Sequence, residues 1–184
     1  GTNWQHMGLP ASERIGKIII HPDNPEVVYV AAMGQLWSGN EERGIFKTAD
    51  GGKSWEKILY LDENTGAADL AIDPDDPSIM YATMWSFRRY PWSFNSGMVN
   101  LKDYQGQSGL FKTTDGGINW KKIHNGLPAD TLGRMAIEVA PSNANRLYLS
   151  VEVKDEQKKG LYVSNNKGET WQLKSNDFNT KVRP

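Results

Sequence analysis

The chain has 184 residues, a formal net charge of −1, 38% hydrophobic and 23% charged residues, and no cysteine. That length allows one sizeable folded core. The charge balance gives no electrostatic reason for binding nucleic acid or an anionic membrane, and the missing cysteines exclude thiol catalysis, disulfides and thiolate metal sites. No apolar run approaches membrane-spanning length, and the start has no leader-peptide pattern.

In chain order, GTNW (1–4) precedes an apolar, β-branched strand pattern, IGKIIIH (15–21). A Pro/Asn/Asp turn leads to VVYVAAM (27–33), the irregular loop GQLWSGNEERG (34–44), the alternating strand GIFKT (44–48), the turn TADGGKSW (48–55) and WEKILY (55–60). The same order then recurs. After the link YLDENTGA (60–67) come ADLAID (68–73), IMYATMW (79–85), a long loop (85–109), GLFKT (109–113), TTDGGINW (113–120) and WKKIHN (120–125). After HNGLPADTLG (124–133) come RMAIEVA (134–140), RLYLSVEV (146–153), KDEQKKG (154–160), GLYVS (160–164), SNNKGETW (164–171) and WQLKS (171–175).

Two landmarks carry the repeat. The motif tryptophans Trp4, Trp55, Trp120 and Trp171 are 51, 65 and 51 residues apart, and Pro22, Pro74 and Pro141 each precede a tyrosine (Tyr29, Tyr81, Tyr148) by seven positions. Each unit reads as four short antiparallel strands, and no window has a helical period. Units of about 50 residues with four strands are what propeller blades require, because a single blade cannot bury both its faces. The predicted fold is therefore all-β: four-stranded β-propeller blades, about three of them, over 12–60, 66–124 and 132–175. Residues 1–8 are expected to be the outer strand of a preceding blade. The expected whole is a larger propeller, or one completed in trans by a second copy, two copies making a six-bladed ring.

The pattern Ser/Thr-x-Asp-x-Gly-x-Ser/Thr-Trp resembles the Asp-box, or BNR repeat. Residues 48–55 match it fully; Asn119 replaces the hydroxyl residue in 113–120, and Asn166 replaces the aspartate in 164–171. The resemblance is to the Asp-box family found in sialidases, xyloglucanase-like glycoside hydrolases, sortilin-type receptors and photosystem assembly factors. ERIGKIIIHPDNPEVVYVAAMG and DENTGAADLAIDP are most similar to large secreted bacterial BNR/sortilin-like proteins described as glycosyl-hydrolase-related. It implies an extracellular or periplasmic location.

The residue types in the box suit a structural corner. Gly51, Gly52, Gly116 and Gly117 tolerate positive φ, an aspartate can accept backbone N–H groups, and the tryptophan can pack beneath the turn. Asp50, Gly52, Trp55, Asp115, Gly117, Trp120, Asn166, Gly168 and Trp171 are accordingly read as structural. Antiparallel order puts these corners and the first turns of each unit on one rim. The irregular loops and links fall on the other, where binding usually lives.

The 85–109 loop carries Trp85, Phe87, Arg88, Arg89, Tyr90, Trp92 and Phe94. Such rings can stack on sugars, and guanidinium groups can pair with carboxylates. The same aromatics could equally pack against a neighbouring blade. Trp37 joins this set. Arg14, Asp69 and Arg134 are placed near the starts of the inner strands, where sialidase-like sites clamp a carboxylate, although no Phe/Tyr-Arg-Ile-Pro element is present. Ion pairing between inner strands is the simpler reading of these three.

A glycosidase needs two carboxylates at defined separation. Asp69, Glu41 and Glu42 are the candidates singled out, with Asp62, Glu63, Asp103 and Asp130 on the same rim. His6, His21 and His124 have no ligand spacing, so no metal or cofactor is expected. DPDDP (73–77) reads as a simple turn. The leading expectation is a scaffold binding a glycan, peptide or protein through its long-loop rim. The alternative is part of a glycoside hydrolase, sialidase-like or xyloglucanase-like, whose site is completed by further blades.

Overall fold

In a computed structural model of the chain, residues 1–92, 106–129 and 132–177 are described. Phe94, Asp103 and Asp130 lie outside the described residues. The described residues contain twelve strands and no helix, and hence no helix able to cross a membrane. β1 (Ile15–His21), β2 (Asn24–Ala32), β3 (Gly44–Thr48) and β4 (Glu56–Leu59) form the first sheet. β5 (Thr65–Ile72), β6 (Met80–Ser86), β7 (Gly109–Thr113) and β8 (Lys121–Ile123) form the second, and β9 (Leu132–Val139), β10 (Leu147–Val153), β11 (Gly160–Ser164) and β12 (Gln172–Ser175) the third. Every sheet is antiparallel and in chain order, as a propeller blade requires.

Strand pairing superposes the three blades residue by residue. Ile18 faces Val30, Leu70 faces Ala82 and Ile137 faces Leu149; Tyr29 faces Lys47, Tyr81 faces Lys112 and Tyr148 faces Val163. Because side chains alternate across a strand, each blade has two apolar faces. The tyrosine face of the first blade (Tyr29, Ala31, Ile45) is buried against Leu70, Met80, Ala82 and Phe111 of the second. The tyrosine face of the second (Tyr81, Leu110) is buried in the same way against Met135, Ile137, Leu147 and Leu149 of the third. Near the hub the inner strands meet closely. A Cβ on Gly16 would collide with the Ala68 carbonyl oxygen, so this position of β1 requires glycine.

Polar groups knit the second junction. The buried Thr83 donates its hydroxyl hydrogen to the Met135 carbonyl at 3.0 Å, and Asp69 Oδ2 accepts the Ile137 N–H at 2.9 Å. At the rim, Tyr81 Oη and Lys112 Nζ both donate to the Lys167 carbonyl, at 2.9 and 2.8 Å. Lys167 Nζ donates to Asp73 Oδ2 at 2.8 Å, and Asp73 is fully buried. Lys167 replaces the first box glycine and accepts a φ of 53° there. The ion pair across the junction offsets that left-handed strain.

Residues 1–8 carry no strand. Once the fold is known, another repeat is visible: HMGLPAS (6–12) and HNGLPAD (124–130). In each, the second residue bonds the tryptophan of the blade that follows, through different tryptophan atoms. Trp171 N–H donates to the Asn125 carbonyl at 3.0 Å, and Trp55 Nε1 donates to the Met7 carbonyl at 2.6 Å.

Lys167→Met keeps the backbone strain but leaves the Asp73 carboxylate without its cation. We expect a loss of about 1–3 kcal/mol in urea unfolding; an unchanged midpoint and slope would show that the junction does not depend on this pair.

Candidate functional site

The Asp-box corners close as the residue types suggest. In the first, Thr48 Oγ1 donates to Asp50 Oδ1 (2.7 Å), Ser54 N–H donates to the same oxygen (2.9 Å), and Ser54 Oγ donates to Asp50 Oδ2 (2.6 Å). In the second, Thr113 Oγ1 and Asn119 N–H bond Asp115 Oδ1 at 2.7 and 2.9 Å, and the Asn119 amide reaches Oδ2 at 2.8 Å. In the third, Asn166 accepts from Ser164 Oγ and Thr170 N–H at 2.9 and 3.0 Å and donates to Thr170 Oγ1 at 2.9 Å. The glycines take positive φ of 69° and 91° in the first corner and 71° and 96° in the second. The indoles of Trp120 and Trp171 donate to the carbonyls of Gly117 and Gly168, both at 3.1 Å, which fixes each ring under its turn. Trp55 instead turns to Met7, with Gly52 close beside that methionine.

These donors stabilise the ionised carboxylates. The Ser54 hydroxyl and N–H, with the Thr48 hydroxyl, hold Asp50 well below the usual range; the Asn119 N–H and amide, with Thr113, lower Asp115 to about 2. Both oxygens of each carboxylate are already engaged by donors of its own turn, which favours the ionised form. The other displaced carboxylates, Asp76 beside Ser78, Asp155 beside the Gln157 N–H and Glu169 beside Lys112, are also displaced downward. A general acid needs the opposite shift.

On the other rim, the 34–43 loop, the 60–64 link and the start of the long loop meet. Arg89 N–H donates to the Leu36 carbonyl (2.7 Å), Phe87 N–H to the Asn64 carbonyl (3.0 Å) and Asn40 N–H to the Glu63 carbonyl (3.1 Å). A fully buried arginine, Arg43, holds the first loop from within. Its guanidinium donates to the carbonyls of Met33 (2.6 Å), Ser38 (2.9 Å) and Gln35. Residue types alone gave no sign of Arg43, because Ser108 and Lys159 occupy that place in the other blades and no repeat marks it.

The aromatic residues divide by role. Trp85 and Phe87 are buried with Ala68, Met33 and Leu36, their rings 4.8 Å apart, and the Arg14 guanidinium lies 5.9 Å from the Phe87 ring. They form the floor. Above it, Trp92 is 77% exposed, and its ring lies 5.3 Å from that of Tyr90. Arg88 covers the Tyr90 ring at 4.8 Å, donates to Asn64 Oδ1 at 3.0 Å and lies 3.7 Å from Glu63. Trp37, 53% exposed, stands on the adjoining loop.

The remaining candidates do not converge on one point. Asp69 sits in mid-β5, tied to the Ile137 N–H and 3.9 Å from Lys17 Nζ, as inner-strand pairing requires. Arg14 pairs with its neighbour Glu13 at 2.8 Å, and Arg134 N–H donates to Glu152 Oε2 at 3.0 Å. Glu42 Oε2 accepts the Ala11 N–H at 2.7 Å, while Glu41 is exposed. Among the described residues, no three His, Asp or Glu side chains gather as a metal site.

Known proteins share this architecture. The BNR/Asp-box repeat family matches residues 111–122, and no curated protein matches the chain. An ancestral GH74 enzyme superposes with a TM-score of 0.65 at 20% identity, covering 92% of this chain and 19% of that one. The GH74 xyloglucanase from Xanthomonas campestris gives 0.60 at 18%, covering 85% and 21%. YCF48 from Cyanidioschyzon merolae gives 0.53 at 16%, covering 92% and 42%. The chain thus carries Asp-box repeats on propeller blades, and it spans about a fifth of the GH74 structures.

The corner carboxylates make stability depend on acid. Their folded pKa values lie below the unfolded value near 3.8, so their contribution is present above that pH and is lost as pH falls toward about 2. Asp50→Asn combined with Asp115→Asn and Asn119→Thr copies the third corner into the other two. The combined variant should lose less thermal stability than the parent between about pH 4 and pH 2. Parallel melting curves across that range would refute this.

Proposed function

We propose that the chain is part of a propeller that binds a polymeric glycan across its long-loop rim, and that its own carboxylates perform no hydrolysis. The observation that carries this reading is the two exposed indoles Trp37 and Trp92, with half-buried Tyr90 beside Trp92, on loops that rest on the buried Trp85, Phe87 and Arg43. Tyrosine and tryptophan rings present broad apolar faces to sugar rings, and two χ angles leave little entropy to lose on binding. Arg88, at one edge of the group, offers donors to hydroxyls. The likeness to a xyloglucanase supports a neutral β-linked polysaccharide as the ligand class. A polymeric ligand of that kind puts the protein outside the cytoplasm, in the periplasm or beyond the cell.

A second reading is favoured by one observation, that two of these neighbours are GH74 enzymes of which the chain spans about a fifth. In that reading the same rim forms part of a hydrolase cleft, with the catalytic carboxylates supplied by other blades.

Isothermal titration with xyloglucan and cello-oligosaccharides separates these ideas from an inert scaffold. Trp92→Ala and Trp37→Ala should each weaken binding about tenfold while leaving the melting temperature within about 2 °C. Folded protein that binds no glycan, or binds equally well without both rings, would sink the proposal.

A further inference from the structure

The junction between the second and third blades opens wider beside its Asp-box corner than the junction before it. A Cβ on Gly117 would lie 2.6 Å from Ile58 Cδ1, whereas one on the equivalent Gly168 would stand 3.6 Å from Ile123 Cδ1. Beside that gap is a cavity of about 540 Å³. Its walls include Lys112, Lys121, Ile123 and His124 on one side and Gly168 and Glu169 on the other. Small-molecule sites occupy about 300–1,000 Å³. Both walls belong to this chain, and the cavity shares no residue with the long-loop rim.

The charges here depart from the repeat. Lys112 and Lys121 are partners across β7 and β8, in the places that Lys47 and Glu56 hold in the first blade. Like charges directly opposite one another cost stability, and opposite charges add to it. Glu169 is equally particular to this junction, since Lys53 and Ile118 hold its place in the other two corners. Its carboxylate pairs with Lys112 Nζ at 2.7 Å, and Asn125 Nδ2 donates to its carbonyl at 3.2 Å, so the two walls are tied together. Asp115, also in the wall, has both oxygens engaged inside its own corner. Lys121 makes no hydrogen bond or close ion pair among the described residues and feels Glu169 only at longer range. Nothing in the fold repays a lysine at this place.

We propose that this groove binds a uronic-acid residue of an acidic oligosaccharide. Lys121 Nζ donates to the ligand carboxylate. Lys112 Nζ commits two of its hydrogens to the Lys167 carbonyl and to Glu169, and its third reaches the same carboxylate. The Thr114 hydroxyl and the His124 imidazole, both in the wall, bond sugar hydroxyls, and Ile123 lies against the C–H face of the ring. Glu169 selects a sugar over an acidic peptide, because a carboxylate accepts from hydroxyls but repels further acids. The site is separate from the long-loop rim and does not rest on the reading given for it.

Titration calorimetry with digalacturonic acid, its dimethyl ester and a glutamate-rich peptide tests this on the chain. The free acid should bind, and its affinity should fall as salt is added. The ester keeps the hydroxyls without the charge and should bind at least about tenfold more weakly. Lys121→Glu restores the residue of the first blade. It should be folded, with an unchanged or higher melting temperature, and its affinity for the acid should fall at least about tenfold. Lys121→Gln, which removes the like charge without adding an acid, should weaken binding as well. Both variants should bind cello-oligosaccharides as the parent does, so the two sites stand or fail separately. No binding of the free acid, equal binding of acid and ester, undiminished affinity in both variants, or tighter binding of the peptide would each overturn the proposal.

Discussion

A four-stranded sheet of short strands has two apolar faces and nothing of its own to cover them. That constraint organises the whole molecule. With no helix among the described residues, the tyrosine face of each of the first two blades is buried by the opposite face of the next. Each junction removes whole side chains from water, including Tyr81, Leu70, Met80 and Leu147, at about 25 cal/mol per Å² of apolar area. The polar links at the second junction then set the register. Thr83 and Asp69 bond backbone groups of the third blade near the hub, and Lys167 bridges the rim.

The two rims divide the remaining work. On one, the Asp-box turns are closed on themselves: every strong acceptor of Asp50 and Asp115 is used within the turn, and each indole of the second and third corners is held by its own glycine carbonyl. Such corners hold strands three and four in fixed relation, with both carboxylate oxygens engaged inside the turn. On the other rim, backbone bonds between separate loops and the buried Arg43 build a platform that is not repeated from blade to blade. Irregularity there is what lets one blade differ from another, and exposed rings collect where the irregularity is greatest.

The long-loop aromatics show why composition alone left their role open. Trp85 and Phe87 belong to the packed floor, and Tyr90 and Trp92 to its surface, although all four occur within eight residues. At the end of β6 the strand's alternation gives way to loop geometry, and burial then depends on the 34–43 loop folding beneath. Likewise Arg14, Asp69 and Arg134 lie at or beside inner strands without sharing a site: Arg14 pairs with the adjacent Glu13, while Asp69 accepts the Ile137 N–H of the next blade.

The sequence by itself determined the all-β class, the three-fold repeat, the Asp-Gly corners and the separation of corners from irregular loops. All of these rest on local periodicity, turn chemistry and antiparallel alternation, and they hold wherever the chain is placed. Only the tertiary structure decided which tyrosine is covered, that Lys167 reaches Asp73 across 94 positions, that Arg43 lies buried, and that Trp55 bonds Met7 rather than its own turn. Those outcomes depend on which blade lies against which face, and contacts between units distant in sequence leave no periodic mark in any one of them.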